Sequence, residues 1–288
     1  MKLPLGLLEE MMEIKSFLKD FGTPGVALIA LVQPWLMWAW KKFFRQGQVE
    51  IYETGVVEVG YSIYGPTIGM HGTLRALHGG SFVRSLTLQV TKKKDSSKHL
   101  FEWGAFRSQK LKVGFGEETL VELPSGFFLE TNQPHRYNMV FFDLDARKEI
   151  QTTLQDVKRA WEKSFMDAGG NRLLEANVDL SAIYQELQTA LESLYKDFSK
   201  TAEHTCAFEE LRRLCYWEPG QYHLASTVHV ARPDKMFFKE WDFEITKEDF
   251  DRLRINVLAM LREACGRASG NYDFAYPNYK KSNEHSKI

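Results

Sequence analysis

The sequence predicts an α+β fold: an N-terminal single transmembrane helix, then an all-antiparallel β-sandwich with a helical insertion and a C-terminal helix. Three observations predict it. Residues 21–40 carry no formal charge over twenty positions. From about Gly47 the apolar residues alternate with period two, with turn residues every ~8–12 positions, the pattern of a sandwich or barrel. From Leu154 the apolar spacing lengthens to that of a helix, and it shortens to two again at Tyr222.

The leader, 1–20, places Leu7, Met11, Ile14 and Leu18 on one helical face, which predicts a short amphipathic helix. The segment 21–45 is the predicted anchor. Val26, Leu28, Ile29, Leu31, Trp35, Trp38 and Trp40 supply its apolar and aromatic surface, and Lys41, Lys42 and Arg45 its basic flank. Twenty helical residues span about 30 Å, the thickness of a bilayer's hydrocarbon layer. Clustered tryptophans beside lysines suit the headgroup boundary. A cleavable signal peptide is disfavoured, because Glu9, Glu10 and Glu13 precede the run and bulky residues fill the cleavage region. Pro34 is tolerable within a span as a kink. The cations packed behind Trp40 predict a single-pass protein of a plasma or inner membrane, its bulk on the cytoplasmic side. Three cysteines, all beyond the anchor, suit a reducing compartment.

Residues 46–146 make the predicted sandwich core, immunoglobulin-like by architecture only. Val57, Val59, Tyr61 and Ile63 form one half-buried strand. Ile68, Met70, Leu74 and Ala76 follow after Gly65-Pro66, then Phe82, Leu86, Leu88 and Val90 after Gly79-Gly80. Short strands are expected at 99–103 and 120–124, and a hairpin from 127–131 to 137–142. Residues 147–218 are the helical insertion. Leu154, Val157, Trp161 and Phe165 form its first stripe, and Leu180, Ile183, Leu187, Leu191, Leu194 and Phe198 a longer one. That second stripe is narrow enough for a packing seam, so it is a candidate interface for self-association as well as a core face. Residues 219–246 return as a hairpin expected to join the first sheet, because two strands alone are unstable. In the last segment, 247–288, Thr246 and Asp249 resemble a capping box before Phe250, Leu253, Val257 and Leu261. The tail that follows holds Tyr272, Phe274, Tyr276 and Tyr279, which must dock on the fold or on a partner.

Charge excludes one function class. Thirty-seven Lys+Arg against 38 Asp+Glu leave a net charge of -1, so no global basic excess collects phosphate backbones and no nucleic acid is expected. Metal and cofactor signals are lacking: His223 and His229 share a strand face but stand about 20 Å apart, and no CxxC or HExxH motif occurs. No nucleophile elbow or P-loop occurs either. Asp143 and Asp145 at a strand exit read as a helix N-terminus, and His204 with Cys206 as a surface ring and a core thiol. The partners expected are a lipid bilayer and a protein or a second copy. The function expected is a membrane-anchored binding or scaffold protein. The alternatives are a membrane-proximal enzyme without a motif, or a carrier of an apolar ligand.

Overall fold

Alternating residues pair into eleven strands of one sheet in the computed structural model, which describes residues 32–40, 48–77, 79–113, 116–168, 180–231, 234–268 and 271–281. In chain order the strands are β1 (Gln48–Ser62), β2 (Gly65–Leu77), β3 (Ser81–Lys92), β4 (Lys98–Val113), β5 (Gly116–Glu122), β6 (Phe127–Leu129), β7 (Pro134–Phe142), β8 (Gly220–Ala231), β9 (Asp234–Ile245), β10 (Phe274–Ala275) and β11 (Tyr279–Lys281). The described helices are α1 (32–40), α2 (Leu144–Asp167), α3 (Leu180–Phe198), α4 (Ala202–Leu214) and α5 (Lys247–Ala264).

The strand order is β10-β1-β2-β7-β4-β3-β8-β9-β11, with β5 beside β4 and β6 beside β3, and every strand pairing is antiparallel. This corrects the sandwich. β3 pairs β4 on one side and β8 on the other, so the later hairpin extends the first sheet, and among the described residues no second sheet forms. The sheet curls instead. Its inward residues then meet one another across the concave side, where Tyr61, Phe101, Phe141, Tyr222 and Trp241 are fully buried. Each such side chain contributes roughly 2–3 kcal/mol.

The tail ties the curl together. β10 pairs β1 through Val59–Ala275, and β11 pairs β9 through Tyr279–Phe243. Between them Val57 N–H donates to Pro277 O at 3.1 Å. The two end strands therefore share one C-terminal segment. Lys239 of β9 also reaches β1, donating to Ile51 O at 2.5 Å and to Glu53 at 2.7 Å. β1 accommodates this with a bulge between Glu53 and Val57, where Gly55 takes φ +88°, a conformation that L side chains rarely adopt.

Strand-to-helix junctions all fall at one end, where β1 turns into β2. Asp143 caps α2 by accepting from Ala146 N–H at 3.0 Å, and Thr246 and Asp249 cap α5 reciprocally. The helices are fastened there by polar side chains. Tyr61 Oη donates to Leu211 O at 2.5 Å, and Trp217 Nε1 to Gly60 O at 3.1 Å. Asn256 Nδ2 donates to Tyr61 O at 2.9 Å and to Asp273 O at 2.7 Å, while its Oδ1 accepts from Asp273 N–H at 2.9 Å. One asparagine thus holds α5, β1 and the tail together.

Candidate functional site

Two polar constellations and one apolar end are the features that could act on something else. The first constellation gathers around Asp143, at the junction of β7 and α2. Its Oδ2 accepts from Tyr216 Oη at 2.8 Å and faces His99 Nδ1 at 3.4 Å, and His99 stacks on the Tyr216 ring at 3.7 Å. Burial works against the carboxylate. The hydrogen bonds from His99, Ala146 N–H and Tyr216 outweigh it and hold Asp143 below the usual carboxylate range. A carboxylate on Nδ1 fixes the tautomer of a histidine and frees Nε2 to act as a base. The contacts named here bring no hydroxyl or thiol nucleophile to that nitrogen. Their shown effect is to tie β4, β7, α2 and the segment before β8.

The second constellation lies on the convex face. Glu58 of β1, 6 % exposed, runs across Gly69 of β2, where any Cβ would come within 3.0 Å of it. It meets Arg107 of β4 at 2.6 Å. Arg107 in turn stands 5.9 Å from the Phe274 ring. His71 lies next along β2, and burial keeps it neutral by lowering its pKa against the pull of Glu58. Glu58, His71, Arg107 and the exposed Tyr276 thus share one electrostatic environment. An ion pair this sheltered positions the tail, and the neutral imidazole beside it is a potential proton acceptor.

The other chemical candidates separate. The expected surface ring and core thiol are exchanged: His204 turns inward to Tyr195 Oη at 3.3 Å, while Cys206 is exposed, so they do not form a thiolate pair. Cys215 and Cys265 are buried thiols whose pKa burial pushes up to about 12, which leaves them protonated at neutral pH. His223 pairs with Asp242 at 3.0 Å and His229 with Asp234 at 2.6 Å. Among the described residues no group of three or more His, Cys, Asp or Glu could hold a metal.

The apolar end is the N-terminal helix α1. α1 exposes Trp35 at 70 %, with Leu36, Met37, Trp38 and Trp40 also exposed, and Trp35 meets Trp38 edge-on at 6.2 Å. At ~1.5 Å per residue the described turns of α1 cover only about 13 Å, and among the described residues no helix is long and apolar enough to cross a membrane. Of the predicted anchor, Val26, Leu28, Ile29, Leu31, Lys41, Lys42 and Arg45 lie outside the described residues.

The predicted interface stripe is split. The side chains of Leu180, Ile183 and Leu187 lie outside the described residues. Leu191 and Leu194 pack partly into the core, and Phe198 is buried 5.5 Å from the Trp161 ring. On another face of α3, Glu192 binds Arg262 at 2.9 Å and Arg267 at 2.6 Å. Within the tail, Tyr272 bonds Glu263, Phe274 covers Gly60, and Tyr279 is buried near Trp241 at 5.5 Å, whereas Tyr276 stays exposed. Sequence reasoning missed Glu58, His71 and Arg107 as a group, and His99 with Tyr216. The signals available were a glutamate on a strand rich in glycine partners and an aspartate at a strand exit. Neither names its distant partner.

No protein-family model, curated protein or solved structure matches this chain.

Proposed function

We propose that the chain is a single-pass, membrane-anchored binding protein, a subunit of a membrane-associated complex with its bulk on the cytoplasmic side. One observation carries the reading. The uncharged run 21–40 ends in a helix whose tryptophans, Leu36 and Met37 are turned to solvent, a surface that water disfavours and lipid accepts. The curled sheet beyond it has sheltered polar side chains, Asn256 and Asp143 among them, that fasten its own parts, which suits presentation of a surface to a protein partner. The test is native extraction of the full chain from membranes in mild detergent. A discrete, stoichiometric assembly larger than the 33.4 kDa chain with its micelle supports the reading. A chain that runs alone at every concentration contradicts the binding role.

An enzyme is the second reading, favoured by the Asp143–His99 contact alone. It requires the His99→Gln chain to lose an activity that the Tyr216→Phe chain keeps in part.

A further inference from the structure

Exposed apolar side chains follow the strand ends opposite the helices. On the convex face of β9, Met236 and Phe238 are both exposed, Phe238 at 68 %. Farther along the same face come Glu240, Asp242 and Glu244. Polarity therefore changes within about 7 Å of strand, the rise of two residues. Beside β9 lies β8, where His229 stands opposite Met236 and Thr227 opposite Phe238. Next is β3, whose exposed Phe82 pairs with the exposed Phe128 of β6. On the other side of β9 a groove lined by Val49, Ile51, the exposed Tyr52, Phe237 and Phe238, with Glu50 and Lys239, runs to β1. In the order β6, β3, β8, β9, β1 these residues make a band along one end of the curled sheet, where a single flat patch would lie within one face.

We infer that this end of the sheet rests in the interfacial layer of a lipid bilayer. The inference depends on the proposed anchor and adds the face by which the folded part meets the membrane. Two features favour lipid over a protein partner. β1 begins at this end, and Gln48 follows Trp40 by eight peptide steps, which reach no more than about 28 Å. The anchor therefore brings this end to the membrane before any other. Aromatic and Met side chains at one level suit the headgroup boundary, where an apolar body meets a wet surface.

The test is depth-dependent quenching of the full chain in vesicles of phosphatidylcholine and phosphatidylglycerol. Cys206→Ser removes the exposed thiol. Phe82→Cys or Phe238→Cys then carries a polarity-sensitive fluorophore at the band, and Lys158→Cys or Glu248→Cys carries it at the helix end. Brominated acyl chains are expected to quench the first pair strongly and leave the second unchanged. In the Met236→Glu, Phe238→Glu chain, the label at 82 is expected to lose its quenching while flotation persists. Flotation without quenching at 82 and 238 overturns the inference and leaves the anchor standing. So does quenching at 82 that survives the double substitution unchanged. A full chain that does not float with the vesicles overturns the anchor and this inference together.

Discussion

Asn256 concentrates more of the fold in one side chain than any apolar residue does. It is 2 % exposed and satisfies backbone groups of both Tyr61 and Asp273. Asn256→Leu removes the partner of the buried Tyr61 O and of two part-buried backbone groups of Asp273, so a loss of about 2–3 kcal/mol is expected. Urea unfolding measures it, and hydrogen exchange should show 272–281 opening first. Asp143 gives a pH dependence. Its folded pKa is lowered, so its contribution is present above the unfolded value near ~3.9 and is lost as pH falls through the folded value. Asp143→Asn should therefore cost about 1–2 kcal/mol at pH 7, as for a hydrogen bond to a charged group, and nothing once the pH is well below the lowered folded value. Equal stability of the two chains at pH 7 would refute the role of the charge. Asp143 was legible in the sequence as a helix cap, because a strand exit followed by a helical period needs one. Glu58 alternates with Val57 and Val59 and so points outward. Its alternation is correct, but the strand register that brings Arg107 to it is set by packing and leaves no local mark.

At the scale of elements, β8 and β9 were legible from alternation and α5 from its capping box, since each signal is local. The curl was not. Alternation states which residues point inward, and it is the same for two facing sheets and for one sheet closed on itself. β10 and β11 were hidden for a related reason: two or three paired residues carry no period. The tail's aromatics were the only hint that it must dock. Deleting 272–288 should uncover the edges of β1 and β9 and remove the burial of Ala275 and Tyr279. A loss on the order of 5 kcal/mol follows from that area, together with concentration-dependent aggregation in light scattering. A monodisperse truncated chain with an unchanged melting temperature would show that the strap is dispensable. The α3 stripe asks a separate question. Phe198→Ala should cost about 3–4 kcal/mol, because the ring fills space beside Trp161 and His204. A small cost without unfolding would free that end of α3 for another role.

The whole molecule has two unlike ends, and its proposed role follows from the difference. Helices, caps and buried hydrogen bonds gather where β1 turns into β2. The exposed band lies at the other end, where β1 begins. The uncharged run 21–40 was the plainest feature of the sequence, because such a run needs no partner to be recognised. The band was invisible there, since Tyr52, Phe82, Phe128, Met236 and Phe238 meet only through the sheet order. The central claim is that residues 21–40 hold the chain in a bilayer, and alkaline carbonate extraction of cell membranes tests it most directly. The full chain is expected in the membrane pellet, and a chain beginning at Gln46 in the supernatant. A full chain released to the supernatant without detergent would contradict the account.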